Sequence, residues 1–418
     1  MAKKNPDVLG PDPRPLFFPV VNAGTLGLQP PEDRHGLSLR TWVRSLAGMQ
    51  KEAVVINDAT GQAWRFASDE GPYLDGNDVG PCPLSFLTTG MVASYMNEIT
   101  ALAATRALQV RDIRLTLDNH YSMEGSVLRG TMVGGALPPT LLVEIDSPAD
   151  RAEMQSLVAQ AIDGSPINGL MLGVHESLFT LCHNGTQIAV DRVAALETTK
   201  PDDPGDRFSE VEEGAVLTSE PILRKLAEGE KREGVKHGVG SSLEEHQSRA
   251  LYIQGICTLG ADGVKHIEQN LFKPIGSSFH FLSDEASEHA GVGLAPDAAS
   301  YISAGIGFCF MTQFGRYAEI VRKRLSAYRI VQDTHFSPGG ASTGVGNVES
   351  ADPVETHVYL DTPEDEAFAR TVLDMSEQTC FLHAFCRTPL KTKFRLLEGS
   401  LAQTESQSQI GRTEADWT

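Results

Sequence analysis

Residues 87–96, LTTGMVASYM, and residues 302–311, ISAGIGFCFM, superpose without a gap at a spacing of 215 positions. Other anchors keep the same spacing. Ser68-Asp69-Glu70 falls on Ser283-Asp284-Glu285, Pro81 on Pro296, and Arg114, Asp118 and His120 on Arg329, Asp333 and His335. Asp146-Ser-Pro-Ala-Asp150 falls on Asp361-Thr-Pro-Glu-Asp365, and Ser165 on Cys380. One offset serving so many anchors reads as two copies of a single domain, at 34–198 and 245–400. Around them lie a Pro-rich arm (1–33) expected to run extended along the surface, a charged linker (199–244) with one short helix at 221–230, and a polar tail (401–418).

The two copies share a grammar. TWVRSLAG and AVVIND in the first, ALYIQGICTL and GSSFHFLSDE in the second, alternate apolar and polar residues and are rich in β-branched types, which predicts strands and hairpins. A Pro-flanked loop leads into segments of helix formers and small apolar residues, Leu84 to Leu108 and Ala298 to Leu325, which predict buried helices. Further strands follow (RDIRLTLDNHY and PTLLVEID; YRIVQDTHF and ETHVYLD), then a second helix with Ser147 or Thr362 as its expected N-cap and a proline in its first turn. That order predicts an α+β fold with mostly antiparallel sheet.

Composition narrows the function. The 418 residues carry 35 Lys+Arg against 55 Asp+Glu, a formal net charge of −20, and no basic stripe with interleaved aromatics, which argues against a nucleic-acid partner. No apolar run is long enough for a membrane span, and MAKKNPDVLGPDPRP lacks the apolar core of a secretory signal, so a cytoplasmic setting is expected. The six cysteines, Cys82, Cys182, Cys257, Cys309, Cys380 and Cys386, then sit in a reducing compartment, and with no CxxC pair among them neither a disulfide framework nor a zinc site is expected. No cofactor is expected either, since SPGGASTGVGNV (337–348) fits neither GxGxxG at a strand-to-helix junction nor a phosphate-binding loop.

A Pro-led loop, a buried small-residue helix bearing one cysteine, and a second cysteine 71 positions later at a helix start resemble the OsmC/Ohr superfamily. The segments that carry the resemblance are APDAASYISAGIGFCFMTQFGRYAE, with Cys309, and SEQTCFLHAFCRTPL, with Cys380. In the first copy Ser94 and Ser165 take the two cysteine positions in register. The resemblance implies bent antiparallel sheets wrapped around central helices, here as an intramolecular pseudo-dimer with one Cys/Cys site and one degenerate Ser/Ser site. It also implies reduction of small organic hydroperoxides, with Cys309 attacking the peroxide, Cys380 resolving the sulfenic acid, and an external dithiol or protein reductant restoring both thiols. The pseudo-dimer could associate further into homo-oligomers. The family places a carboxylate in the loop entering the first helix and an arginine on an N-terminal strand; Asp297 is the candidate for the former, Arg40 and Arg44 for the latter.

Other residues compete for roles. Gln313 and Arg316 lie one and two turns beyond Cys309 on the same helical face and are expected to line its pocket. His383 follows Cys380 by three residues and could pair with it as an acid or base. Asp333 and His335 share a strand face, but their recurrence as Asp118 and His120 in the copy without cysteines favours a structural role, as it does for Asp69-Glu70 and Asp284-Glu285 as turn and loop anchors beside the site entrance. Cys82, Cys182 and Cys257 read as small buried hydrophobes and Cys386 as an alternative resolving thiol. Two other functions stay open: a cofactor-independent hydrolase with Cys309 as nucleophile and His383 or His335 as acid/base, cleaving a ring, C–C or thioester bond, and a non-catalytic binder of an apolar ligand.

Overall fold

In the computed structural model the described residues are 6–229, 247–285, 292–344 and 350–399. Helices α1 (Pro83–Thr105) and α4 (Ala298–Ile320) start 215 positions apart and are buried around nearly their whole circumference. That follows from their composition, which is apolar and small with few charges, so water cannot claim either face. Pro83 opens α1 in its first turn, while Asp297 caps α4 by accepting from the Ser300 amide at 2.7 Å. The two helices cross closely at Gly90 and Gly305, which are 215 positions apart. A Cβ on Gly90 would stand 2.6 Å from the Ala298 carbonyl oxygen, and one on Gly305 would stand 2.8 Å from the Leu87 amide nitrogen. Only glycine permits that approach.

Strands in chain order are β1 (Phe18–Pro19), β2 (Leu37–Ser45), β3 (Lys51–Asn57), β4 (Ala63–Ser68), β5 (Asp112–Gly125), β6 (Val133–Ala136), β7 (Thr140–Asp146), β8 (Leu178–His183), β9 (Thr186–Ile188) and β10 (Ala194–Ala195). They continue as β11 (Leu223–Ala227), β12 (Gln247–Leu259), β13 (Lys265–Lys273), β14 (Ser278–Ser283), β15 (Ala327–Phe336), β16 (Glu355–Asp361) and β17 (Lys393–Glu398). Four more helices are α2 (Arg151–Asp163), α3 (Pro166–Gly173), α5 (Glu366–Thr379) and α6 (Phe381–Arg387). One sheet runs β1-β4-β3-β2-β15-β16-β8-β10 with β9 beside β8, and the other runs β11-β14-β13-β12-β5-β7-β17 with β6 beside β5. Each sheet therefore takes strands from both halves of the chain. β2 pairs with β15 (Val43↔Ile330), and β12 pairs with β5 (Ile256↔Thr116). Pairing is antiparallel except for β16–β8, β8–β10 and β7–β17. The result is mixed, with two sheets and the α1–α4 pair sharing one apolar core, consistent with an α+β class.

Several local expectations change. The stretch 6–33 does not simply lie on the surface: Phe17 and Phe18 are buried, and Phe17 packs against Phe66, Phe86, Phe281 and Tyr301 at ring separations of 5.0, 5.4, 5.9 and 6.2 Å. The short helix expected at 221–230 is instead β11, an edge strand on β14, because pairing with an exposed strand outweighs the helix propensity of LRKLA. The helices α2 and α5 are capped not by Ser147 and Thr362 but by Asp150 and Asp365, which accept from the amides of Glu153 and Phe368. Ser147 and Thr362 spend their hydroxyls on the tight turns ahead, accepting from Ala149 and Glu364. The expected tail, 401–418, lies outside the described residues.

Candidate functional site

Cys309 sits mid-way along α4, and Cys380 ends α5 and caps α6, where its sulfur accepts from the His383 amide at 3.5 Å. Packing of α4 against α6 sets the two thiols within hydrogen-bonding reach of each other, with the amides of Phe381 and Leu382 also directed at the Cys309 sulfur. Both thiols are free. Burial, reinforced by the neighbouring thiol, pushes the Cys309 pKa well above its ordinary value, and the two amides oppose that rise. Ser94 on α1 and Ser165 at the start of α3, each 215 positions before one of these cysteines, lie 2.6 Å apart.

The two cysteines differ in access. Cys309 lines a pocket of about 410 Å³, part of it open to solvent, while Cys380 is fully buried and does not line it. Leu74, Leu84, Leu251, Leu271, Pro274 and Phe381 make most of the wall apolar; Glu70, Tyr73, Thr312, Gln313 and Arg316 supply the polar groups. Gln313 accepts from the Thr379 hydroxyl at 3.3 Å, fixing its amide beside the α5–α6 junction. Arg316 donates to the Met123 sulfur at 3.2 Å, and burial with the nearby Arg249 charge pushes its pKa down to about 10 against the pull of Glu70. Glu70 accepts from the Tyr73 hydroxyl at 2.7 Å and the Thr312 hydroxyl at 3.2 Å. Burial raises the Glu70 carboxyl pKa, opposed chiefly by Lys51. Lys51 is itself wholly buried, its pKa lowered by desolvation and sustained by Glu70, Asp69 and Cys309.

The structure thus brings Cys309, Cys380, Gln313 and Arg316 together, and leaves the other candidates elsewhere. Asp297 serves as the cap of α4, bonded to Ser300 and Asn57, and burial beside Glu285 pushes its pKa up to about 6. Arg40 pairs with Asp333, and Arg44 with Glu52. The His335 ring meets the Ser38 hydroxyl at 2.8 Å. The His383 ring is wedged between Phe310 and Phe179 at 4.7 and 5.6 Å, without a hydrogen-bond partner on either nitrogen, and burial pushes its pKa down to about 3. Cys386 is buried and absent from the pocket wall.

Most of the pocket wall was not picked out by sequence reasoning, Tyr73, Thr312 and Cys82 among it. Glu70 arrives from the loop after β4, where it reads as a turn anchor, and Cys82, at the start of α1, faces the same space with its thiol pushed up to about 11 by burial and Glu70. Glu285, 215 positions on, accepts from Asn97 and the Ala298 amide, and Glu70 accepts from Thr312 and Tyr73; Asn97 and Thr312 are also 215 positions apart, so the two glutamates hold corresponding places.

No family model matches the sequence, and no curated protein does. Among solved structures, an OsmC-like hydroperoxide resistance protein from Jannaschia sp. CCS1 is similar at 19% identity over 35% of this chain and 91% of that one, with a TM-score of 0.22. Among the described residues no helix is long and apolar enough to cross a membrane.

Proposed function

We propose that the chain is a thiol-dependent peroxidase of the OsmC/Ohr type acting on small organic hydroperoxides, and that it arose as a tandem copy whose first half lost both cysteines. The observation that carries the reading is the unequal access of two adjacent thiols: Cys309 opens into an apolar pocket, and Cys380 waits behind it. Elements recurring at one spacing, and the glycine crossing of α1 and α4, support the tandem origin.

The chemistry balances on these groups. The Cys309 sulfur takes the terminal oxygen of ROOH, the O–O bond breaks, and the alkoxide leaves as ROH with the proton given up by the thiol. Glu70, whose raised pKa suits it to holding a proton at the pocket wall, is assigned the transfer. Arg316 supplies positive charge on the same wall while the thiolate exists. Cys380 then condenses with the sulfenic acid, expelling water and forming the Cys309–Cys380 disulfide, which an external dithiol reduces by exchange. The apolar remainder of the wall suits an alkyl or aryl R group. The hydrolase reading lacks its acid/base, since neither His383 nor His335 lines the pocket.

Dithiol-coupled turnover of an alkyl hydroperoxide by wild type, Cys309→Ser and Cys380→Ser tests this. The first variant is expected to be inert, and the second to consume one equivalent and stop with an oxidised Cys309. Full turnover by either variant contradicts the assignment.

A further inference from the structure

On the outer face of the second sheet, away from the thiols, three ligand-bearing side chains converge. His266 on β13 and His280 on β14 lie on adjacent antiparallel strands, diagonal to one another because His280 is directly opposite Glu268. Both are half-buried, and His266 Nδ1 stands 3.3 Å from His280 Nε2. Glu220 reaches them from the segment entering β11, which is tied to β14 by the Leu282 amide donating to the Ile222 carbonyl at 2.9 Å. One ligand atom from each of the three lies within 4.8 Å of the others.

The histidine spacing fits a metal ion. Two nitrogens each about 2.0–2.1 Å from Zn²⁺ and subtending a tetrahedral angle are separated by about 3.3–3.4 Å, and the pair already stands at 3.3 Å. Glu220 is exposed, so its carboxylate is free to close the remaining distance by a change of rotamer. His280 Nδ1 is buried without a hydrogen-bond partner. With Nε2 on a metal, Nδ1 keeps the imidazole proton, and neither ring has to lose one. Arg224, opposite His280 on β11, opposes a cation, and Glu268, opposite on β13, offsets it.

We propose that Glu220, His266 and His280 bind one first-row divalent cation of the zinc type, with a fourth position left for water. A bound ion would pin the edge strand β11 to the β13–β14 hairpin, whose other end supplies Leu271 and Pro274 to the Cys309 pocket.

The test is Zn²⁺ titration of the full chain, purified free of metal and reduced, by competition with a chromophoric chelator. One equivalent is expected, weakened at least 100-fold in His266→Gln and His280→Gln, about 10-fold in Glu220→Gln, and unchanged in a Cys309→Ser/Cys380→Ser double variant. Co²⁺ added to wild type should give visible bands of a four-coordinate nitrogen–oxygen site without a near-ultraviolet thiolate band, a readout that does not depend on the variants folding. No binding at 100 μM free Zn²⁺, a thiolate band, or loss confined to the cysteine variant overturns the proposal.

Discussion

Truncating Phe17 to alanine probes whether the N-terminal stretch is a built part of the core. The ring is 2% exposed and sits among four aromatic rings, of which Phe66 and Phe86 come from the first half of the chain and Phe281 and Tyr301 from the second. Large-to-small changes of this kind cost about 3–5 kcal/mol, because the removed atoms lose their burial and the rigid rings around them close the cavity only in part. Taking about 4 kcal/mol and a urea dependence of about 3 kcal/mol/M or somewhat above, the unfolding midpoint should fall by about 1 M. The fluorescence of the buried Trp42 and Trp64 follows the transition. Val21→Ala, in the same stretch but at a side chain 66% exposed, should change stability by less than about 0.5 kcal/mol. A Phe17→Ala loss under about 1 kcal/mol, or one equal to that of Val21→Ala, would refute the packing argument.

Gly305→Ala places a methyl group 2.8 Å from the Leu87 amide nitrogen; overpacking of about 3 kcal/mol less about 1 kcal/mol of helix propensity leaves a net loss of about 2 kcal/mol, read by thermal or urea unfolding. His383 is buried neutral with its pKa pushed down to about 3, so the unfolded chain binds the extra proton and this residue's stabilisation is lost as pH falls below about 6.5. The stability difference between wild type and His383→Leu should therefore shift by about 1.6 kcal/mol against wild type between pH 6.5 and pH 5; a difference independent of pH would show the ring is not buried neutral. Glu70→Gln keeps the shape of the pocket and removes its proton carrier, so kcat/KM for hydroperoxide should fall about 100-fold with alkylation of Cys309 still possible; an unchanged rate would release Glu70 from the mechanism.

What could be read from the sequence follows its physics. The spans of α1 and α4, and the placing of Gln313 and Arg316 along the wall that holds Cys309, are local consequences of composition and of the 3.6-residue period. That α1 and α4 cross at Gly90 and Gly305, where a Cβ would meet backbone, came only from the structure. Non-local choices were not legible. That β2 pairs with β15 and β12 with β5 depends on which edges meet, not on either strand alone. The helix formers of LRKLA are overruled by the free edge of β14. Glu70 and Glu285 stand in identical triplets, and only the tertiary structure shows that each reaches the central helix of the other half of the chain, at Thr312 and at Asn97. His266, His280 and Glu220 are widely spaced in sequence, and a hairpin and an edge strand gather them.

The most direct measurement of the central claim is peptide-level mass analysis after the reduced protein meets one equivalent of an alkyl hydroperoxide under anaerobic conditions. The account predicts loss of two hydrogens, mapped to a Cys309–Cys380 disulfide that a dithiol reverses with one alcohol released per cycle. Unmodified thiols, or a disulfide that joins other cysteines and leaves Cys309 free, would contradict it.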